Sequence, residues 1–363
     1  MNRILVVLPN WYGETLFATP FLRALREQQP HAFIATLGWP QCREVLLHNP
    51  RVNLLLDYDE RGIHRGVLAK WRLINSLRAN HFDTTFILRR SLSRSLMLAM
   101  AGISTRVGFN HVKSGWLLTH RLPAPSQQAG QAGVRPAAIP QHKSATYLPL
   151  LEAVGLKSRA GSYEYSVSEI ERQAAREWLR THGVLNDRPL VVLHPGANWF
   201  HKRWAPERFA VLGDRLVDAQ HVQVLITGGP ADVPVAQAIK QQMRCAATVL
   251  AGQTTLRQLA ACLEQTHLLI SNDTGVLHIA VALRRPVVAL YGPTSPALTG
   301  PLGDGAHTRI LHHPDCCPKI PCVEPDHPAH PGMNAITVDE VYEAACRLLE
   351  RGKWKVESGT TKA

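Results

Sequence analysis

The chain has 363 residues, of which 45% are hydrophobic and 19% are charged. This length favours two domains, and this composition excludes an intrinsically disordered protein. The formal net charge of +12 favours an anionic partner, such as nucleic acid, an acidic membrane surface or a phosphorylated substrate.

Strand and helix patterns alternate along the first half of the chain, where short β-branched runs separate amphipathic segments. The predicted strands are 3–8, 32–37, 53–56 and 84–88, and the predicted helices are 15–30 and 67–78. Residues 123–141 are rich in Pro, Gly, Gln and Ala and predict an exposed loop, which a helix at 145–154 follows. The alternation indicates a parallel sheet with helices on both faces.

A second series of the same kind begins with helix 168–182, whose start has the capping-box pair Ser168 and Glu171. The predicted strands are 190–193, 222–227, 268–271 and 286–291, and the predicted helices are 206–219, 233–243, 256–264 and 276–283. Residues 312–334 have no regular pattern, and a final helix is predicted at 338–351.

The predicted fold class is therefore α/β, with two doubly wound, Rossmann-like domains that face an interdomain cleft. We place the domains at 1–165 and 166–340, followed by a C-terminal helix and tail at 341–363. This architecture fits nucleotide-sugar transferases, periplasmic binding proteins and some epimerases, and the fold alone does not choose among them.

The first candidate site is the segment 10–15, which follows the first predicted strand. Gly13 permits a tight turn and close approach of a ligand. Glu14 then lies near the start of a helix, where its carboxylate has two interpretations. It is a general base for an acceptor hydroxyl, or a first-turn residue that the helix dipole stabilises.

Two glycine-containing loops follow strands in the second half. The loop that begins at His194 contains Gly196 and reaches Lys202, a compact charge suited to a diphosphate. The loop with Gly228 has Asp232 just beyond it and permits close approach of a nucleotide, although it lacks the full dinucleotide fingerprint.

The segment 271–278 joins a predicted strand to a helix. The backbone N–H groups of Thr274 and Gly275 suit a phosphate at the helix N-terminus, and His278 lies one turn on. Two simpler interpretations stay open: Asp273 as an N-cap and His278 as a core histidine.

The seven cysteines are an odd number spread along the chain and do not indicate a disulfide framework. One segment contains Cys316, Cys317, Cys322, His312, His313, His327 and His330. Adjacent Cys316 and Cys317 do not match the paired spacings of zinc sites, and prolines interrupt the segment. We therefore expect no metal here.

From Arg61 to Arg121 the chain has eleven Lys or Arg residues and a single acid, Asp83. Such a block is either a solvated basic face or an anion-binding surface. The N-terminus lacks the features of a signal peptide, and no run of about 18 apolar residues occurs. We therefore expect a cytoplasmic protein.

The chain resembles glycosyltransferase family 9, the ADP-heptose:lipopolysaccharide heptosyltransferases. The matching stretches are ILVVLPNWYGETLFATPFLRALR, VVLHPGANWFHKRWAPERFAVL, VLITGGPAD, LAGQTTLRQLAACL and LLISNDTGVLHIAVALRRPVVALYGPTSP. The resemblance implies a GT-B fold and an inverting, metal-independent transfer of heptose from ADP-heptose, with no cofactor. It also implies an anionic, lipid-linked oligosaccharide acceptor at the cytoplasmic face of the inner membrane, with peripheral membrane contact.

The resemblance assigns roles to individual residues. The implied donor contacts are Lys202, Asp273, Thr274, Gly275 and His278, with Gly13, Gly196, Gly228, Asp232 and Thr254 near the donor. Glu14 takes the position of the catalytic base, where the family usually has Asp. Arg61, Arg65, Arg89 and Arg90 are the expected acceptor contacts.

The mechanism that follows has Glu14 removing a proton from an acceptor hydroxyl, while Lys202 and the helix N-terminus at Gly275 stabilise the leaving diphosphate. The alternatives are a non-catalytic or altered-specificity sugar-nucleotide-binding relative, and a transferase acting on another cell-surface glycan. A nucleic-acid-binding protein ranks last, because no aromatic-interleaved basic motif occurs.

Overall fold

The computed structural model describes residues 1–123, 142–159, 161–185, 187–302, 305–317, 320–322 and 330–351. The chain divides into two compact units, Met1–Ser166 and Val167–Ala363. The predicted loop at 123–141 lies, apart from its first residue, outside the described residues.

The first unit is built on a six-stranded parallel sheet of order β3-β2-β1-β4-β5-β6. Its strands are β1 (Arg3–Val7), β2 (Phe33–Gly38), β3 (Leu54–Asp57), β4 (Thr84–Ile87), β5 (Thr105–Phe109) and β6 (His120–Leu122). Its helices are α1 (Tyr12–Phe17), α2 (Thr19–Gln28), α3 (Pro40–Leu46), α4 (Val67–Ala79), α5 (Leu92–Met100) and α6 (Pro149–Glu152).

Strand β1 is buried on both faces of this sheet. Ile4 and Val6 pack in the same apolar cluster as Phe21 of α2, whereas Leu5 and Val7 pack with Leu77 of α4. Because successive side chains of a strand point to opposite faces, the continuous apolar run RILVV needs a helical layer on each side.

The second unit repeats this plan, with the parallel order β12-β11-β10-β7-β8-β9. Its strands are β7 (Leu190–His194), β8 (Gln223–Ile226), β9 (Ala247–Val249), β10 (Leu268–Asn272), β11 (Val287–Tyr291) and β12 (Thr308–His312). Its helices are α7 (Glu169–Thr181), α8 (Pro206–Gln220), α9 (Val233–Gln242), α10 (Leu256–Leu263), α11 (Gly275–Ala282), α12 (Pro296–Thr299), α13 (Pro331–Ala335) and α14 (Val338–Arg351).

Both sheets have the strand order 3-2-1-4-5-6, counted from the first strand of each unit, which is typical of dinucleotide-binding domains. The predicted α/β class with two doubly wound sheets is therefore confirmed. Helix α14, whose larger part was assigned to a separate C-terminal segment, packs Val341, Ala345 and Leu348 into the core of the second unit. Residues 352–363 of that segment lie outside the described residues.

Two predicted helices differ from the structure. The predicted helix 15–30 is two helices, α1 and α2, which meet at Ala18 with Pro20 in the first turn of α2. The predicted helix 145–154 is reduced to α6, preceded by a 3-10 turn at Lys143–Ala145. The strands β5, β6, β9 and β12 and the helices α3, α5, α12 and α13 were not predicted. No helix in the described ranges combines the length and the apolar character that crossing a bilayer requires.

Candidate functional site

The strand order of each sheet reverses between its first and fourth strands, and ligands of such folds bind at the carboxyl ends of those two strands. In the second unit these strands are β7, which ends at His194, and β10, which ends at Asn272. Two of the predicted segments, 194–202 and 271–278, therefore start side by side at one edge of the sheet.

Buried polar contacts fix these two strand ends. The Asn272 Nδ2 atom donates to the Pro195 carbonyl at 2.8 Å, and its Oδ1 accepts from the Trp204 backbone at 3.2 Å. The His194 Nδ1 atom lies 3.0 Å from the Thr227 hydroxyl, and burial lowers the pKa of His194 to about 4. His194 is thus neutral near pH 7. These five residues lie in or beside the segments that the sequence singled out, but the sequence assigned none of them a role in the site.

Asp273 is the centre of the polar cluster beyond β10. Its Oδ2 atom accepts from Lys202 Nζ at 2.6 Å and from the Thr294 hydroxyl at 2.7 Å, and its Oδ1 lies 3.8 Å from His278 Nε2. Burial disfavours the charged form of Asp273, but Lys202 and His278 outweigh that effect and hold its pKa below the ordinary value. The structure therefore brings three of the predicted donor residues into one charged cluster and adds Thr294, which was not predicted.

The start of α11 adjoins this cluster. Thr274 is the N-cap, and its hydroxyl accepts from the Leu277 backbone at 3.4 Å. The helix begins at Gly275, and the first N–H groups of a helix have no acceptor within it. An anion next to Thr274 and Gly275 would meet those donors and the positive end of the helix dipole.

A second part of the site joins the loops after β7 and β8 through Asp232. Its Oδ2 accepts from the Gly229 backbone at 3.0 Å, and its Oδ1 lies 3.4 Å from Arg203 Nη2. A Cβ atom on Gly196 would lie 2.4 Å from Asp232 Oδ2, and one on Gly228 would lie 2.6 Å from Asp232 Cβ. A side chain at either glycine would therefore collide with Asp232. The sequence had instead suggested that these glycines make room for a ligand.

Thr254 lies half-buried on the loop after β9. The Gly252 backbone donates to the Gly228 carbonyl at 3.0 Å, so this loop runs beside the Gly228 loop at the carboxyl edge of the sheet. Its contact with the donor stays a prediction.

In the first unit, Glu14 lies half-buried in the first turn of α1, at the carboxyl end of β1. Gly13 also lies inside α1, so a helix and not a tight turn follows Trp11. Within the described ranges, no side chain forms a hydrogen bond or an ion pair with the Glu14 carboxylate. The charge of Glu14 adds to burial in raising the pKa of the nearby Tyr147.

Arg94, at the start of α5, is a buried residue of this edge that the sequence did not single out. Its guanidinium donates to the Leu8 carbonyl at 3.2 Å and to Asn10 Oδ1 at 2.8 Å, and it lies 3.7 Å from Glu60. It thereby fixes the loop that precedes α1.

The four predicted acceptor arginines all follow strands of the first sheet. Arg61 and Arg65 lie exposed between β3 and α4, and the Arg61 guanidinium lies 5.0 Å from the Trp39 ring centroid. Arg89 and Arg90 lie just beyond the end of β4, separated from it by Leu88, at the reversal of strand order. The Arg89 Nη1 atom is buried, and no described group accepts a hydrogen bond from it.

The cysteine-rich segment is only partly described, and His327 lies outside the described residues. Cys317, Cys322 and His330 have ligand atoms within 4.8 Å of one another. Of the adjacent pair Cys316 and Cys317, only Cys317 belongs to this group, since Cys316 is exposed. The sequence argument against a metal assumed that Cys316 and Cys317 would have to bind the ion together. In the structure only Cys317 lies close to the other two potential ligands.

Known proteins resemble this chain in sequence and in fold. Residues 70–327 match the family described as glycosyltransferase family 9 (heptosyltransferase). The chain is 29% identical to lipopolysaccharide heptosyltransferase 2 of Escherichia coli strain K12, and the alignment covers 96% of this chain and 98% of that protein.

Two solved structures are similar over nearly their full length. A family 9 glycosyltransferase from Veillonella parvula has a TM-score of 0.82 at 26% identity, covering 96% of this chain and 97% of that chain. The Escherichia coli ADP-heptose LPS heptosyltransferase II has a TM-score of 0.78 at 26% identity, covering 98% of this chain and all of that chain. These similarities agree with the expected GT-B class of two Rossmann-like units.

Proposed function

This chain belongs to glycosyltransferase family 9, and we propose that it transfers heptose from ADP-heptose to the inner core of lipopolysaccharide, with inversion and with no metal ion bound to the reacting groups. The observation that carries the proposal is the Asp273 cluster, in which Lys202 meets the start of α11 at the reversal of the second sheet.

The cluster suits the leaving group of this reaction. When the bond from the anomeric carbon to the diphosphate breaks, the departing diphosphate gains negative charge on the oxygen that had bound that carbon, and fixed cations and N–H groups stabilise that charge. Lys202 has three N–H donors, so a diphosphate can bind one of them while Asp273 keeps another. With the N-terminus of α11 beside it, Lys202 supplies the positive charge that a divalent ion supplies in other transferases.

Glu14 is the proposed base. An acceptor hydroxyl gives its proton to the Glu14 carboxylate while its oxygen attacks the anomeric carbon from the face opposite ADP, and the bond from that carbon to the diphosphate breaks. Glu14 suits this role because no described side chain forms a hydrogen bond or an ion pair with its carboxylate. The hydrogen bonds of Arg94 also fix the loop that precedes Glu14.

The acceptor side of the proposal rests on the basic residues of the first unit. Arg61, Arg65, Arg89 and Arg90 are proposed to bind the charged groups of a lipid-linked acceptor. Beside the first two, Val67 and Leu68 of α4 are 84% and 77% exposed. Exposed apolar side chains among arginines suit the surface of an anionic bilayer, which we propose is the cytoplasmic face of the inner membrane.

The test is release of ADP from ADP-heptose by the purified protein, in buffer without added divalent ions, with and without heptose-deficient lipopolysaccharide. Acceptor-dependent ADP release supports the proposal. Tight binding of ADP-heptose with no release on any acceptor overturns the catalytic assignment and favours a sugar-nucleotide-binding relative.

A further inference from the structure

Three potential metal ligands lie together in the second unit, in the segment after β12. The ligand atoms of Cys317, Cys322 and His330 all lie within 4.8 Å of one another. Cys322 and His330 are buried, Cys317 is half-buried, and neither cysteine forms a disulfide.

Hydrogen bonds of described residues set the positions of these three residues. The Cys317 backbone donates to the Pro314 carbonyl at 3.1 Å, and the Cys322 backbone donates to the Pro293 carbonyl at 2.8 Å. His330 is the N-cap of α13, where its Nδ1 atom accepts from the Gly332 backbone at 3.2 Å. The three side chains are thus held near one another before any ion binds.

We propose that Cys317, Cys322 and His330 bind a zinc ion. Sulfur ligands about 2.3 Å from a tetrahedral zinc ion lie about 3.8 Å from each other, so closure of the group requires shifts of about 1 Å or less. Two thiolates and an imidazole form a set that zinc prefers over magnesium or calcium. The metal-binding set leaves out Cys316, the immediate neighbour of Cys317.

The site has a structural role, because Cys322 and α13 contact the loop that carries Thr294, a member of the Asp273 cluster. The Cys322 backbone N–H donates a hydrogen bond to the Pro293 carbonyl. Thr294, which follows Pro293 in the chain, donates its hydroxyl to Asp273 at 2.7 Å. Met333 of α13 packs directly on Gly292, where an added Cβ would lie 2.4 Å from Met333 Cγ. Loss of the ion therefore loosens the loop that contains Thr294. This consequence for the donor rests on the proposed function, whereas zinc binding does not.

The first measurement is the zinc content of the full-length protein, purified without chelators and with its thiols reduced. We expect about one equivalent per chain in the wild type and in the matched control Cys316→Ser. We expect a large loss of zinc in Cys317→Ser and in Cys322→Ser. Replacement by Co²⁺ gives a second readout, because thiolate ligands produce intense absorption in the wild type and in Cys316→Ser only.

Two results overturn the proposal. One is a wild type that binds neither added Zn²⁺ nor added Co²⁺. The other is a Cys317–Cys322 disulfide, found by mass spectrometry, in protein kept under reducing buffer. ADP binding by calorimetry then separates the two claims: zinc without ADP binding overturns the donor assignment alone, and ADP binding without zinc overturns the metal site alone.

Discussion

Lys202 Nζ lies 2.6 Å from Asp273 Oδ2, and it also lies 5.2 Å from the Trp199 ring centroid. The Asp273 side chain is only 6% exposed, so its charge depends on this partner. Loss of the Lys202–Asp273 ion pair should therefore affect both the stability of the second unit and the proposed binding of the diphosphate.

Lys202→Met should lower kcat for ADP release by about 100- to 1,000-fold, because a fixed cation at the leaving group is lost. It should also lower the free energy of unfolding by about 1–3 kcal/mol, since Asp273 is left buried without its counter-ion. Urea unfolding and steady-state kinetics measure the two effects. The double variant with Asp273→Asn should recover stability but not turnover, and full turnover in Lys202→Met would contradict the assignment.

Gly196→Ala should destabilise the second unit by about 1–3 kcal/mol, because its Cβ would lie 2.4 Å from Asp232 Oδ2 and displace that carboxylate from Gly229 and Arg203. Gly229→Ala is the matched control, since its Cβ would lie 3.8 Å from the same oxygen, an ordinary contact. Thermal unfolding of both variants measures the difference. Equal unfolding midpoints for the two variants would show that Asp232 can shift away from the added Cβ with no loss of stability.

Glu14→Gln keeps the size of the side chain and removes its basicity, so kcat should fall by about 100- to 10,000-fold with little change in stability. The control is Glu27→Gln in α2, because the Glu27 side chain is 54% exposed and lies 4.0 Å from Arg23, which makes this a weak ion pair. Single-turnover kinetics under saturating donor and acceptor give the rate of the chemical step. A Glu14→Gln variant with wild-type turnover would remove Glu14 from the mechanism.

The two-sheet fold could be predicted because its signals are local. Apolar strands such as RILVV and capping boxes such as that at Ser168 need only a few neighbouring residues. Short elements such as β6, with three residues, carry too little periodic signal to detect. The break at Ala18 was missed although Pro20 signals it, because a Pro at the sixth position of a single helix 15–30 has no N–H to donate to the carbonyl of residue 16.

The sequence was sufficient to predict which loops form the candidate site, but not which side chains contact one another within it. The glycines at 196 and 228 and the Asp273 segment follow strands, which the sequence shows. That Asp232 excludes a side chain at both glycines depends on two loops, those after β7 and β8, meeting in space. Arg94 is the clearest case: within a basic block it suggests a solvated charge, yet it is 1% exposed and bonds to Leu8 and Asn10.

The double variant Val67→Ser, Leu68→Ser should weaken binding to anionic vesicles by tenfold or more, because each apolar side chain that enters the bilayer contributes about 1.5–3 kcal/mol. Co-sedimentation with vesicles of anionic lipid measures the binding. Val211→Ser, an exposed valine of α8 in the other unit, is the control and should bind as the wild type does. If both variants co-sediment equally, the α4 surface does not contact the membrane.

His194 predicts a loss of stability in mild acid. Its pKa is lowered to about 4 in the folded chain, against an ordinary value near 6.5. Between these values the unfolded state binds more protons, so stability falls as the pH drops from about 6.5 to about 4, by an amount on the order of 3 kcal/mol. His267 and His312 also have lowered pKa values, so the measurement is the difference between wild type and His194→Asn in urea unfolding at pH 7 and pH 5. The variant should lose less stability between these two pH values than the wild type. Parallel losses would show that folding does not lower the pKa of His194.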